Sequence, residues 1–318
     1  MKKIYHYCSC ETLMSILSNK TIRMSNIRKS NDFNEIVAFL NIFRSALKTA
    51  CNKFLKENPD THPFVEFYEN MNFDNVASAI LNDSICYYAT CFSEDGDLLS
   101  QWRGYAEDAT GVSIGFNSDY IINWADNKRF KYMEINYDKQ DAFETQVCYI
   151  LKELGKTKAT MDRNGYLEPS YYENAINIVI NTFLYNAVFY KDASFSEEKE
   201  WRVVFYPLRK TQNYFIQQNF DQSYIDQLFY DKMNEFIQAE GVYYPFIRKQ
   251  LSFKFDKKNH NISSYVDLSF DSIAPYFIQE IILGPKNKMD DLDLRLFLLA
   301  NGYNPNKIKI THSKVTYQ

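Results

Sequence analysis

Residues Ser84 to Phe92 read SICYYATCF. In a strand, successive side chains point to opposite faces. Both alternating sets are mostly apolar here, the mark of a strand covered on both sides and so central to its sheet. The polar run Ser93 to Gly96 follows, then a short helical pattern carrying Leu98, Trp102 and Tyr105. Gly111 to Phe116, GVSIGF, reads as the next strand. Outward from this centre, strands are expected at Lys3 to Tyr7, Thr21 to Met24, Lys131 to Tyr137, Glu200 to Tyr206, Leu251 to Phe255, Tyr265 to Leu268, Phe277 to Leu283 and Lys307 to Ile310. Helical spacing is expected from about Cys10, from Phe33, over Tyr171 to Tyr190, and over Met289 to Leu299. The elements mix without regular alternation. The expected class is therefore α+β, a single domain over 1–318 with a mixed, mainly antiparallel sheet core and helical insertions.

Composition narrows the function. With 46% hydrophobic residues, the 318-residue chain is not intrinsically disordered. Its 9 Gly and 8 Pro leave no room for collagen-like or low-complexity segments. A net charge of −4 gives no global electrostatic case for nucleic-acid binding. Met1-Lys2-Lys3 opens like a signal peptide, but Tyr5, His6, Ser9 and Glu11 interrupt the apolar core that should follow. Ala175 to Tyr190 is broken by Asn177, Asn181 and Asn186, and falls short of the ~20 apolar residues of a membrane span. Six cysteines without a signal peptide fit a reducing cytoplasm. A cytoplasmic protein without membrane partner is expected, and its oligomeric state is not legible.

No glycine-rich phosphate loop, Gly-x-Ser-x-Gly elbow or His-Glu-x-x-His helix is present. Four segments can carry chemistry instead. His6-Tyr7-Cys8-Ser9-Cys10 ends the first strand, with His6 and Cys8 on one face and Tyr7 on the other. It reads as a strand end leading into a helix, or as a zinc site with Cys86 or Cys91, which lacks the usual Cys-x-x-Cys support. Asp32 and Glu35 have the spacing of a capping box before a long helix. Ser93 with Trp102, Arg103 and Tyr105 forms a strand, loop and aromatic helix of the kind that walls a pocket. Trp102 and Tyr105 are three apart and fall near one helical face, a pattern of core as well as of a ligand platform. Finally, Glu198 and Glu200 flank Lys199 before Trp201 and Arg202. Two neighbouring carboxylates raise each other's proton affinity, which suits acid–base work; an ordinary charged strand start is the plainer reading.

Taken in order, these segments resemble the domain of unknown function 2971 (DUF2971) family of bacteria and phages. The resemblance rests on His6-Tyr7; Asn31, Asp32 and Glu35; Cys91 to Ser93, Trp102 to Ala106 and Gly111 to Phe116; Phe195, Glu198, Glu200, Trp201 and Arg202; and Ile278 to Lys286. The order of a strand His, a central strand and a late strand Glu also looks like the ADP-ribosyltransferase fold, a split sheet. That resemblance implies an NAD-using enzyme, an ADP-ribosyltransferase or NAD glycohydrolase, acting as a bacterial toxin or anti-phage effector. It implies that His6 holds the ribose and that Tyr7, Trp102 or Tyr105 stacks on nicotinamide. Glu200 would be the catalytic carboxylate with Glu198 activating the acceptor, and Arg103 or Arg202 would face the pyrophosphate. NAD would be the substrate, a protein or nucleic acid the acceptor, and no metal is expected. Cys8 departs from the Ser or Thr that often follows the His-Tyr pair. Two other readings stand beside it: a nucleotide- or phage-component-sensing module without catalysis, and a metal-dependent nuclease or hydrolase using Asp32, Glu35, Glu198 and Glu200. The enzyme reading requires His6, Tyr105 and Glu200 to line one cleft.

Overall fold

The computed structural model describes residues 2–27, 33–57, 88–126, 130–137, 144, 186–205, 253–258 and 261–317. The strand at the heart of the opening stretch is β3, Tyr88–Ser93, and five of its six residues are buried. It has more strand neighbours than any other strand of the described residues. Strand β8 (Glu200–Phe205) runs antiparallel along one whole edge, from Tyr88 opposite Phe205 to Ser93 opposite Glu200. The other edge is shared. Strand β1 (Lys3–Cys8) meets it at Tyr5 opposite Ser93, and β2 (Thr21–Asn26) meets it at Ser25 opposite Ala89 and Asn26 opposite Tyr88. Thus β1 and β2 leave β3 like the arms of a fork.

The rest of the ten-stranded sheet extends both arms. From β1 it continues through β4 (Val112–Asn117) and β11 (Ile278–Leu283) to β12 (Lys309–His312). From β2 it continues through β10 (Asn261–Ser269) to β9 (Phe253–Lys258), and β5 (Phe130–Glu134) lies beyond β8. Among the described residues, only the β11–β12 pairing in this sheet is parallel. A small second sheet pairs β6 (Asn136–Tyr137) with β7 (Tyr190–Lys191). Mixed helices and a mainly antiparallel open sheet make the fold α+β, as expected.

Helices cover both faces. Helix α1 (Cys10–Asn19) starts where the Ser9 side chain accepts from the Thr12 amide and stops at Lys20 in the left-handed conformation. Its Leu13, Ile16 and Leu17 enter the main core. Helix α2 is Phe33–Glu57, and its Phe39 packs on Tyr190 at 4.8 Å between ring centroids. Helix α3 (Leu99–Tyr105) lies on the opposite face, where Trp102 joins Tyr7, Ala106, Ala109 and Ile282 in a second cluster. Helix α4 (Ser118–Asp126) was not expected; the Asn117 side chain accepts from the Asp119 amide at its start. A four-residue turn of helix, α5 (Ala274–Phe277), precedes β11, and α6 (Asp291–Ala300), capped by Asp290, lies between β11 and β12. Residues opposite each other in antiparallel strands share a face, so Ile4, His6 and Cys8 lie with Phe116, Ile114 and Val112 on the main-core side. Truncating a core residue such as Ile114, 0% exposed, to Ala would cost about 2–5 kcal/mol.

Most expected strands form within a few residues of their expected ends. One differs in kind, as 131–137 divides into β5 and β6 around Ile135, while β10 starts four residues earlier than expected and β12 two residues later. Asp32 and most of Tyr171 to Tyr190 lie outside the described residues.

Candidate functional site

Four charged side chains meet beneath the start of β8. Glu200, Arg202, Glu198 and Lys191 are 5%, 1%, 7% and 2% exposed. Strand alternation puts Glu200 and Arg202 on one face, and the Arg202 Nε donates to Glu200 Oε1 at 2.6 Å. A second guanidinium nitrogen reaches Glu200 Oε2 at 3.3 Å, and a third donates to the Val188 carbonyl at 3.0 Å. Glu198 ends a 3-10 helix, Ala193–Glu198, rather than lying in the strand. Its carboxylate still arrives beside Glu200, because Lys191 of β7 donates to both, at 2.6 Å to Glu198 Oε2 and 3.0 Å to Glu200 Oε2. Ser93 donates its hydroxyl to the Glu198 carbonyl at 2.6 Å.

This arrangement overturns the expected acid–base pair. Burial alone would raise the Glu200 pKa. The charges of Arg202 and Lys191, with hydrogen bonds from Arg202 and the Cys91 thiol, prevail and hold it at about 2. Two cations therefore sit against the carboxylates, and for Glu200 their effect outweighs burial. Glu200 is a fixed carboxylate at neutral pH, unable to exchange protons there but able to act as a fixed negative charge or hydrogen-bond acceptor.

Glu200, Ser93, Tyr5 and Gly115 form one row across β8, β3, β1 and β4. The Tyr5 ring lies over Gly115 and Gly96: a methyl at Gly115 would come within 2.9 Å of it, and one at Gly96 within 2.5 Å. Its hydroxyl donates to Glu280 at 3.0 Å. His6 is the next residue on β1 and therefore turns to the other face, where its ring meets Phe92 at 5.8 Å. Its Nδ1 bonds to the Cys91 carbonyl at 2.9 Å. That carbonyl sits in the crotch of the fork, between the stretches of β3 paired with β1 and with β2. His6 supplies a donor to that backbone acceptor. Burial of the ring lowers the His6 pKa, and the Cys91 bond opposes that only in part. The bond makes Nδ1 the protonated nitrogen of the neutral ring. Its Nε2 has no partner among the described residues.

The aromatic residues are built in differently. Tyr7 donates to the Asp95 carbonyl at 2.9 Å, accepts from the Leu98 amide at 2.9 Å, and meets the Trp102 ring edge-on at 4.9 Å. Trp102 is 0% exposed and donates to Asp97 at 2.8 Å. The same carboxylate accepts from the Ser313 hydroxyl at 2.5 Å and the Lys314 amide at 2.8 Å, which binds the C-terminal segment over this cluster. Tyr105 is 51% exposed, so it does not share Trp102's environment as its spacing suggested. Arg103 is exposed, with its guanidinium 5.8 Å from the Tyr317 ring. Just beyond α3, Glu107, Asp108 and Ala109 all have positive φ, 48°, 51° and 74°. Each such residue costs ~1–2 kcal/mol. The turn is held by the Lys286 amide on the Ala109 carbonyl at 3.0 Å and by Asn287 on the Thr110 and Gly111 carbonyls at 2.7 and 2.9 Å.

The structure thus joins Glu198, Glu200, Arg202 and Ser93 at one place and Tyr7 with Trp102 at another. His6 lies on the opposite face from Glu200, and Tyr105 and Arg103 are exposed on α3. The single cleft through His6, Tyr105 and Glu200 is not formed. Sequence reading missed Lys191, an isolated lysine at the end of an apolar helical pattern, and Tyr5, whose ring needs two glycines from distant segments. The carboxylate metal reading includes Asp32, outside the described residues; among the described residues no group of three His, Cys, Asp or Glu is arranged to hold a metal ion. Cys8, one of the weighed zinc ligands, has its thiol pKa raised by burial.

Residues 101–203 match the family described as "Protein of unknown function (DUF2971)", which bears out the family resemblance. The matched span runs from α3 into β8 and contains all four members of the buried charge cluster. No curated protein and no solved structure matches the chain.

Proposed function

We propose that this chain is a nucleotide-binding module that senses an NAD-type ligand without turning it over. One observation carries the choice against acid–base catalysis: Glu198 and Glu200 are both buried and already ion-paired, with Glu200 ionised down to about pH 2. A general acid–base role needs a pKa near the working pH. His6 supports the binding reading. Its Nδ1 is held by the Cys91 carbonyl, and its Nε2, without a partner among the described residues, is the acceptor offered to a ligand hydroxyl at the fork. A thermal scan tests it. A ligand at 100 times its Kd adds ~2.7 kcal/mol to stability, a readily measured shift. The expected result is a shift with NAD or ADP-ribose and no release of nicotinamide. No shift with NAD, ADP-ribose, ATP or GTP would overturn the reading.

A specific observation favours the second reading, an NAD-cleaving or ADP-ribosyl-transferring enzyme with an ADP-ribosyltransferase-like split sheet. β1, β3 and β8 are adjacent in that order, and Tyr5, Ser93 and Glu200 lie in one row across them. Cleaving the nicotinamide–ribose bond builds positive charge on the sugar, as glycoside hydrolysis does, and a permanently ionised carboxylate would stabilise it. This reading needs a Glu200 oxygen released from its present partners. Release of nicotinamide that Glu200→Gln abolishes would establish it in place of the first.

A further inference from the structure

A sensor needs an element with two arrangements that its ligand can bias. Residues 192–197 are all exposed, whereas Lys191 and Glu198 on either side are buried. The exposed run is one short 3-10 helix whose start is capped by Asp192, with the Ser194 amide donating to the carboxylate at 2.9 Å. Phe195 projects 41% exposed, its ring 4.9 Å from the Lys191 ammonium. The run ends at Lys199, with φ 44° and ψ 52°, a left-handed conformation unfavourable for a residue with a side chain. Strong ties lie at the base. Lys191 bridges Glu198 and Glu200, Ser93 holds the Glu198 carbonyl, and the Glu94 amide donates to the Lys199 carbonyl at 3.0 Å.

We infer that residues 192–199 are a hinged flap latched shut by Lys191, and that unlatching it uncovers Glu200. Lys191 immediately precedes the flap, Glu198 is its last helical residue, and Glu200 is the first residue of β8. One ammonium therefore ties the two ends of the flap to each other and to the sheet. Withdrawing Glu198 removes the buried carboxylate that shares Lys191 with Glu200, and takes the Glu198 carbonyl from the Ser93 hydroxyl. The Ser93 hydroxyl then faces the opening, and Glu200 loses the cover of Glu198 while Arg202 and Lys191 still hold it. Such a pairing holds strongly while water is excluded and weakens once water enters, which favours two states over a gradual opening. The flap goes beyond the binding reading and rests on it only in naming an NAD-type ligand as the trigger.

Hydrogen exchange on the full chain tests the latch. Glu198→Gln removes the charge that holds the flap end, and Ser93→Ala removes the neutral tie at the same place while disturbing the ion pairs least. Uptake across residues 192–199 should quicken about tenfold or more in Glu198→Gln and by less in Ser93→Ala, as for a local opening. Uptake in Tyr88–Ser93 and Val112–Asn117 should be unchanged. Unchanged uptake across 192–199 in both variants would overturn the flap. So would a rise of equal size throughout the sheet, because the ties would then serve only global stability. Saturating NAD on the native chain should change uptake in the same segment. If the variants open the flap and NAD leaves it unaltered, the flap stands and the nucleotide reading falls.

Discussion

Replacing Glu200 by Gln removes one of the four charges in the buried cluster and leaves its volume almost unchanged. The native carboxylate, 5% exposed, accepts from Arg202 at 2.6 and 3.3 Å and from Lys191 at 3.0 Å. The variant takes from Arg202 and Lys191 a carboxylate that both bind, and breaking a buried pair in this way costs about 3–5 kcal/mol. For a chain of this size each kcal/mol lowers Tm by about 2 °C, so the variant should melt about 6–10 °C below the native chain at pH 7. The acid limb gives a second, independent sign. Glu200 has its folded pKa depressed to about 2 from 4.5. Its contribution is fully present above about pH 4.5 and is lost as pH falls toward about 2. At ~1.36 kcal/mol per pH unit this amounts to roughly 3 kcal/mol. The variant has no such carboxyl, so its stability should vary less than the native chain's across that window. Thermal unfolding followed by circular dichroism, from pH 7 down to pH 3, reads both effects. A Tm at pH 7 equal to the native value, or an acid limb as steep as the native one, would refute the assignment of Glu200 to a charge-compensated cluster.

His6→Ala leaves the Cys91 carbonyl in the fork without its donor, which should cost about 1–3 kcal/mol in urea unfolding at pH 7.5. Because the folded His6 pKa is lowered, its contribution is full above its ordinary value of 6.5 and declines as pH falls below it. The gap between native and variant should therefore narrow at pH 5.5, and a gap that widens would contradict the reading. Glycines 111 and 104 should behave oppositely when changed to Ala. A methyl at Gly111 would overlap the Cys8 carbonyl, a backbone atom that cannot swing away, and should cost at least about 1–3 kcal/mol. At Gly104, helical and exposed, it meets nothing within 4 Å and should stabilise by about 0.5–1 kcal/mol. Equal unfolding midpoints for the two variants would count against the close approach of β1 and the turn after α3.

The strand expected over Ser84 to Phe92 is central where it is described, at Tyr88–Ser93, because a strand apolar on both faces has few other places to go. The helices beginning at Cys10 and Phe33 were equally plain, since their apolar spacing is local information. Pairing was not legible. The fork at β3 pairs Tyr5 with Ser93 and Ser25 with Ala89, residues far apart in the chain, and alternation gives no register between such segments. Helix α4 escaped notice because its residues, SDYIINWAD, mix aromatic, β-branched and polar types over only nine positions. At the candidate site, the carboxylates Glu198 and Glu200 were legible but the direction of the Glu200 shift was not. It turns on Arg202 first and then on Lys191, whose place beside them depends on the pairing of β7 with β6. His6 and Cys8 do share a face as alternation requires, yet the same rule turns His6 away from Glu200 once Tyr5 is paired with Ser93.

The central claim is that the chain binds an NAD-type nucleotide at the fork without cleaving it. The most direct test mixes purified chain with NAD and follows the melting temperature and the release of nicotinamide in the same sample. The account predicts a rise in melting temperature that grows with NAD concentration, intact NAD throughout, and loss of that rise in His6→Ala. Steady release of nicotinamide would contradict it in favour of the enzyme reading, and an unmoved melting temperature at every NAD concentration would contradict it outright.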